Sequence, residues 1–93
     1  MLKIEFHTKF KKDRKKALAR GLDDNLLKKV IMLLAKEEKL PAKYNDHQLV
    51  NSRDYANVRE CHIQPDWLLV YAIDKDRLIL ELMRTGSHSD LFK

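Results

Sequence analysis

The segment WLLVYAI at residues 67–73 constrains the fold more than any other part of this 93-residue chain. Its side chains are apolar at odd and at even positions, so both faces of a strand formed by this segment need cover. Such a strand lies in the centre of a sheet. A chain of this length forms one modest core, so we expect a single domain over residues 1–93.

A second apolar pattern predicts the helices that cover this sheet. The first helix is expected over residues 9–20, with Thr8 as its N-terminal cap and Gly21 as the glycine that ends it. The next helix begins at Asp23 or Asp24 and carries an apolar stripe at helical spacing. The expected inner residues are Phe10, Ala17 and Leu18 of the first helix and Leu26, Leu27, Val30, Ile31, Leu33 and Leu34 of the second.

Strands are predicted at residues 2–6, 55–63 and 77–84 in addition to the central one. Asp74, Lys75 and Asp76 suit a tight hairpin between the central strand and the last one. In the strand at residues 55–63, alternation places Cys61 and Ile63 on one face and Val58, Glu60 and His62 on the other. If the helices cover the first face, Glu60 and His62 lie on the open side of the sheet.

Positive charge is concentrated in the N-terminal third of the chain. The formal net charge is +5, but residues 1–36 carry eleven Lys and Arg against four acids, a net charge of +7, and the remainder is net −2. A one-sided cationic surface attracts polyanions such as RNA or an acidic partner. A solvated helical face without a partner is the alternative. The lysines that we expect to contact RNA are Lys11, Lys12, Lys15 and Lys16.

Composition and spacing exclude several classes of protein. Cys61 is the single cysteine, so an internal disulfide is excluded and a reducing cytoplasm is the expected compartment. The apolar runs are far shorter than the roughly 20 residues that span a bilayer, and the N-terminus has no signal-peptide pattern. No HxxxH, CxxC or GxSxG motif is present, which argues against a zinc site and a hydrolase nucleophile. We therefore expect a soluble protein with no metal, no cofactor and no membrane association.

Five polar residues on the loop, the strand ends and the tail form a set suited to RNA cleavage without a metal. They are His47, His62, Asp66, Arg84 and His88, and the aromatic residues Trp67 and Phe92 are nearby in the sequence. In that reaction the 2′-hydroxyl attacks the adjacent phosphorus, so one group accepts its proton, another protonates the leaving 5′-oxygen, and a cation stabilises the phosphorane. Histidine suits both proton transfers, because its reference pKa of about 6.5 is close to working pH.

Three motifs between Tyr44 and Phe92 carry a family resemblance. They are NDHQL at residues 45–49, RECHIQPDWLLVY at residues 59–71 and LMRTGSHSDLF at residues 82–92. Together they resemble the YafQ group of the RelE/ParE superfamily, which are bacterial toxins that cut messenger RNA. The resemblance implies a RelE-like α+β fold. In it, the N-terminal strand and a helical hairpin pack on one face of a small antiparallel sheet, and RNA binds to the other face.

The resemblance also implies an active site. Arg84 would stabilise the phosphate, His88 would act as general acid, and His62 or Asp66 would take or orient the 2′-hydroxyl proton, with His47 assisting. The implied catalytic residues are His47, Glu60, His62, Asp66, Arg84 and His88, and the implied base-stacking residues are Trp67 and Phe92. Some positions have a structural alternative, since Trp67 at a strand start is also a core candidate and Asp66 also suits a turn.

The resulting hypothesis is an endoribonuclease toxin of a type II toxin–antitoxin system. It would cleave mRNA during translation on the ribosome and be held inactive by a cognate antitoxin. The alternative is a non-catalytic module on the same scaffold that binds nucleic acid or gyrase.

Overall fold

The computed structural model of the protein describes residues 1–49 and 58–92. A turn of 3-10 helix at Ala42–Tyr44 separates the helical half of the chain from the second half. The strands are β1 (Lys3–Phe6), β2 (His47–Gln48), β3 (Val58–Gln64), β4 (Trp67–Asp74) and β5 (Ile79–Gly86), and the α-helices are α1 (Thr8–Ala19), α2 (Asp24–Ala35) and α3 (His88–Leu91). The part of the predicted strand at residues 55–57 lies outside the described residues.

The five strands form one sheet in the order β1-β5-β4-β3-β2. The antiparallel meander of β3, β4 and β5 and the central position of β4 confirm the sequence prediction. Two details differ from the prediction. β1 is an edge strand of the sheet and does not pack on its face, and it pairs with β5 in parallel, with Lys3 opposite Ile79 and Phe6 opposite Leu82. The sheet is therefore mixed. The alternation in LKIEF predicts a strand, but it carries no information about which neighbour that strand takes or in which direction.

The end of α1 follows the predicted glycine signal. Gly21 has a φ of +88°, and the N–H groups of Gly21 and Leu22 donate to the carbonyls of Leu18 and Ala17 at 3.0 and 3.1 Å. This is a Schellman termination, in which a residue without Cβ adopts the left-handed conformation at no steric cost. Thr8 is the first helical residue and not the cap, because His7 occupies the cap position without a side-chain hydrogen bond.

The inner side of α1 is narrower than predicted. Phe10 and Ala17 are buried, and they lie seven residues apart, which is close to two helical turns. Leu18 is 42% exposed, so its assignment to the inner side was wrong. It lies about 100° further around the helix axis than Ala17.

Helix α2 covers the sheet as its stripe predicts. The side chain of Asp23 caps the helix by accepting a hydrogen bond of 2.9 Å from the backbone N–H of Asn25. Leu33 is partly buried, and Leu26, at 36% exposed, lies at the edge of the stripe. The buried residues of α2 are Leu27, Val30, Ile31, Leu34 and Ala35.

Strand β4 is buried on both faces, as expected for WLLVYAI. Leu69 and Tyr71 belong to the core cluster that packs against the helices, together with Cys61 of β3. Leu68 and Val70 lie on the opposite face and are 1% and 4% exposed. Glu60 and His62 are on that second face, because they pair with Val70 and Leu68. The helices therefore leave this face of the sheet for the polar residues described next.

Candidate active site

Two histidines converge on one buried carboxylate. The pairing of β2 with β3 places His47 opposite Glu60, and alternation along β3 places His62 on the same face as Glu60. The Nε2 atoms of His47 and His62 lie 3.7 and 3.5 Å from the same Glu60 oxygen, Oε1. The two ring centroids are 6.3 Å apart. Glu60 is only 6% exposed, so its carboxylate faces these two imidazoles and little bulk water.

Backbone carbonyls orient both rings. His47 Nδ1 lies 2.7 Å from the carbonyl oxygen of Asn45, and His62 Nδ1 lies 3.2 Å from that of Pro65. Because a carbonyl oxygen only accepts, each Nδ1 carries a proton, and each Nε2 is the atom that faces Glu60. A neutral ring in this orientation presents Nε2 as a base, and a protonated ring presents it as an acid stabilised by the carboxylate.

Hydrogen bonds to the neighbouring residue Asp46 hold His47 in place. Tyr71 donates a hydrogen bond of 2.5 Å to Oδ1 of Asp46, and Arg59 donates to the same carboxylate at 3.1 and 3.4 Å. Burial, followed by the hydrogen bond to Asp46, raises the pKa of Tyr71, so its hydroxyl remains a donor at neutral pH. Asp46 precedes His47 in the chain, and anchoring its carboxylate limits the motion of the imidazole. Asp46 lies outside the predicted site residues, although an acid next to a candidate histidine is a visible signal.

The C-terminal tail is held against the turn between β3 and β4. Oδ1 of Asp66 accepts a hydrogen bond of 3.2 Å from the backbone N–H of His88, the first residue of α3. Asp66 therefore fixes the position of His88 through its main chain. The ring of Phe92 lies 5.2 Å from the His88 ring and is 42% exposed, so an aromatic surface stands beside the imidazole.

A second set of contacts stabilises α3. Ser87 and Asp90 form a reciprocal capping box, with hydrogen bonds of 3.1 and 3.0 Å. Arg20, at the end of α1, donates to Asp90 at 2.7 Å. This bond and those from Ser87 lower the pKa of Asp90. The four-residue helix is thus stabilised by its own N-terminal capping box and by an ion pair with the end of α1.

Arg84 lies on β5 and contacts α1. Its Nε donates to Oδ2 of Asp13 at 2.7 Å, and its Nη2 donates to Oδ1 at 3.2 Å. Through β4, the sheet register aligns Arg84 with Val70 and Glu60. Since adjacent strands lie about 4.8 Å apart, the backbones of Glu60 and Arg84 are roughly 10 Å apart. Arg84 is therefore two strands away from Glu60, on the strand that leads into the C-terminal tail.

Trp67 is a core residue, which corrects its assignment to RNA stacking. Its side chain is 1% exposed, and its ring belongs to the cluster packed against the helices. The indole N–H donates a hydrogen bond of 2.9 Å to the buried hydroxyl of Thr85. The ring therefore has no surface for a nucleotide base in this structure, and the core alternative applies. The side chain at position 67 faces the helices because it shares the parity of Leu69 and Tyr71.

The four lysines that are predicted to contact RNA, at positions 11, 12, 15 and 16, are all exposed on α1. Cys61 is buried, and desolvation raises the pKa of its thiol to about 12, so it remains protonated and unreactive. Within residues 1–49 and 58–92, no cluster of three or more His, Cys, Asp or Glu is arranged to hold a metal ion. In the same residues, no helix is long and apolar enough to cross a membrane.

The structure thus gathers most of the predicted site at one face and one end of the sheet. His47, Glu60 and His62 form one cluster, and Asp66, His88 and Phe92 form another. Arg84 and its partner Asp13 link this end of β5 to the basic helix. Asp13 and Arg20 lie outside the predicted set because their partners are about 70 residues away in sequence, whereas Asp46 is adjacent to the predicted His47.

Comparison with known proteins places the chain among small bacterial toxins. A family model described as a bacterial toxin of type II toxin–antitoxin systems, YafQ, matches residues 2–93. The chain therefore belongs to the YafQ family.

Individual relatives are similar to this chain along almost the whole length of both proteins. The chain is 42% identical over 90 residues to the mRNA interferase toxin YafQ of Escherichia coli strain B / BL21-DE3, covering 96% of this chain and 94% of that protein. A crystal structure of a metal-bound toxin from Helicobacter pylori has a TM-score of 0.91 and 49% identity, with 99% and 100% of the two chains covered. The E. coli DinJ–YafQ complex contains a chain with a TM-score of 0.90 and 38% identity, with both chains fully covered. These similarities confirm the RelE-like α+β fold.

Proposed function

We propose that this protein is an endoribonuclease toxin that cleaves mRNA by metal-free acid–base catalysis. The observation that carries the proposal is the convergence of His47 and His62 on Glu60, with both Nδ1 atoms fixed by carbonyls. This arrangement supplies proton-transfer atoms in a defined orientation next to a charge-compensating carboxylate. The activity named for its E. coli relative supports the same conclusion.

The reaction divides among the residues as follows. Nε2 of His62, assisted by His47, accepts the proton of the 2′-hydroxyl while the 2′-oxygen bonds to phosphorus. Arg84 stabilises the negative charge that develops on the phosphorane oxygens. The bond from phosphorus to the 5′-oxygen then breaks, and His88 donates the proton that this oxygen needs to leave. The products are a 2′,3′-cyclic phosphate and a 5′-hydroxyl.

The other residues serve binding and orientation. Glu60 compensates the positive charge that His62 acquires, and Asp66 holds the backbone of His88. Phe92 offers an exposed ring on which a base stacks beside His88. The lysines of α1 attract the phosphates of ribosomal RNA or an acidic segment of the antitoxin.

The biological setting follows from the family. A relative forms a complex called DinJ–YafQ, so we propose that a cognate antitoxin holds this protein inactive in the cytoplasm. When the antitoxin is removed, the toxin would cleave mRNA on the ribosome and arrest translation.

Mapping the ends of cleaved mRNA tests the proposal. The purified protein is mixed with programmed ribosomes and, separately, with free mRNA, and the new ends are identified chemically. We expect 2′,3′-cyclic phosphate and 5′-hydroxyl ends, and a His62→Ala variant that cuts on the order of 10²–10⁴ times more slowly. Ends with 3′-hydroxyl and 5′-phosphate would contradict the mechanism. When the protein is expressed in cells, intact mRNA together with topoisomerase-linked DNA breaks would favour the gyrase-binding alternative.

A further inference from the structure

Asp13 stands out in α1 because it is the only acid in the sequence TKFKKDRKKALA. Its side chain is 11% exposed, whereas the lysines on either side of it are exposed. A partly buried carboxylate among cations needs a reason, since burial disfavours its charge unless donors compensate it. Within residues 1–49 and 58–92, the donors to this carboxylate all come from β5.

Three hydrogen bonds join Asp13 to two consecutive residues of β5. Arg84 supplies two of them through Nε and Nη2, at 2.7 and 3.2 Å, and the backbone N–H of Thr85 supplies the third at 3.2 Å. A bidentate pair of this kind fixes the plane of the guanidinium, which a single bond to a carboxylate leaves free to rotate. The bond to Thr85 also fixes the strand from which Arg84 projects.

The opposite side of the same strand is fixed as well. Thr85 donates from Oγ1 to the carbonyl of Leu68 at 2.7 Å and accepts from the indole of Trp67. The backbone around Arg84 is therefore held by α1 on one side and by β4 on the other. The guanidinium thus projects from a backbone segment that is held in place, and the Asp13 carboxylate sets the plane of the guanidinium.

We propose that Asp13 is a positioning residue for Arg84 in the cleavage reaction. Its carboxylate holds the guanidinium along the edge formed by Nε and Nη2, and so sets the orientation in which the guanidinium meets the phosphorane oxygens. This inference rests on the proposed function, in which Arg84 stabilises the phosphorane. The competing explanation is that Asp13 only joins α1 to the sheet and acts on stability alone.

The first arm of the test compares Asp13→Asn with a matched control, Arg14→Gln. Arg14 is the next residue of α1 and forms an equally bidentate pair with Asp24 of α2, at 2.9 and 2.6 Å, but it has no bond to β5. We expect Asp13→Asn to lower kcat by about 10- to 100-fold with a much smaller change in KM, because the reacting groups are misplaced while binding persists. Arg14→Gln should lower thermal stability and leave kcat unchanged. Equal kcat values in the two variants would overturn the inference.

The second arm asks whether Asp13 acts through Arg84. In an Arg84→Gln background, adding Asp13→Asn should cause no further loss of kcat, because the group to be positioned is already absent. An equal loss of kcat in both backgrounds would show an independent role and overturn the proposal. If Asp13→Asn fails to fold, Asp13→Glu replaces it, since it keeps the charge and displaces the carboxylate by one methylene. It should fold and still lose rate.

The two hypotheses fail in different ways. If the wild-type protein leaves RNA uncut, the proposed function is wrong and the kinetic test has no signal. If it cuts RNA but Asp13→Asn and Asp13→Glu both retain the full rate, only the positioning role is wrong.

Discussion

The indole Nε1 of Trp67 donates a hydrogen bond of 2.9 Å to Oγ1 of Thr85, both side chains being 1% exposed. This bond joins the start of β4 to the end of β5 inside the core. Replacing Trp67 with Phe removes the donor and leaves a small void, so we expect the free energy of unfolding to fall by about 1–3 kcal/mol. Denaturant unfolding measures this change. Cleavage activity of the folded variant should remain close to that of the wild type.

The exposed ring of Phe92 should behave in the opposite way. At 42% exposure it adds little to the core, so Phe92→Ala should change stability by no more than about 0.5 kcal/mol. RNA binding should weaken by about 1–3 kcal/mol, which is typical of a lost base-stacking contact. Stability and binding titrations on the same two variants separate the roles. Weaker RNA binding in Trp67→Phe with Phe92→Ala unaffected would restore the stacking assignment of Trp67.

The central strand and the second helix were predictable because each carries a regular apolar pattern. WLLVYAI needs cover on both faces, and β4 is the middle strand of the sheet. The stripe after Asp23 follows the helical period, and four of its six members are buried. These patterns are local, and tertiary packing reinforces them.

The pairing of β1 and the side on which Trp67 lies were not predictable in the same way. A four-residue strand does not specify its neighbour, and the parallel pairing of β1 with β5 goes together with the packing of α1 against β5, which is distant in sequence. Trp67 was assigned to the site from its neighbours in sequence, but strand parity determines which face a side chain takes. The contact between Asp13 and Arg84 joins residues 71 positions apart and leaves no local signal.

The lysines of α1 predict a salt-dependent interaction. Lys11, Lys12, Lys15 and Lys16 are exposed, so reversing all four to Glu should weaken ribosome or RNA binding and flatten its dependence on salt. Each lost contact to a single-stranded phosphate lowers the slope by about 0.7.

Four exposed lysines outside α1 provide a matched control for this experiment. Reversing them changes the net charge equally and should alter the salt slope much less if α1 is the contact surface. They are Lys36, Lys39, Lys43 and Lys75. A wild-type slope in the α1 variant would identify a solvated face. Loss of antitoxin binding with unchanged RNA cleavage would assign the face to the antitoxin.

The pair formed by Arg20 and Asp90 predicts how stability depends on acid. The hydrogen bond from Arg20 and those from Ser87 lower the pKa of Asp90 in the folded protein, relative to an unfolded value of about 3.9. A lowered folded-state pKa adds stability above the unfolded pKa, and this contribution is lost as pH falls through the folded pKa. The stability difference between the wild type and Asp90→Asn should therefore be constant from pH 5 to 8 and shrink below about pH 4. Parallel denaturant titrations from pH 2.5 to 8 measure it, and a difference that persists unchanged at the acid end would contradict the assignment.

The boundary between β5 and the tail predicts that two truncations, only two residues apart, behave differently. Strand β5 extends to Gly86, two residues beyond the end expected from the sequence, and Thr85 is its buried partner for Trp67 and Asp13. Removing residues 87–93 deletes α3, which has no buried residue, so the domain should still fold and melt cooperatively. It loses His88, and cleavage should slow on the order of 10²–10⁴-fold, as expected for a missing general acid.

Removing residues 85–93 instead also deletes Thr85, and the carboxylate of Asp13 and the indole of Trp67 both lose a hydrogen-bond partner. This longer truncation should therefore be markedly less stable than the shorter one, which circular dichroism during thermal unfolding detects. His88→Ala in the full chain should reproduce most of the rate loss while RNA binding is retained, because it removes the proton donor and leaves Phe92 and the lysines in place. If the shorter truncation folds and cuts RNA at the wild-type rate, His88 is not the general acid. If it does not fold, α3 is part of the core architecture and the Arg20–Asp90 pair contributes to stability well beyond what an exposed ion pair normally does.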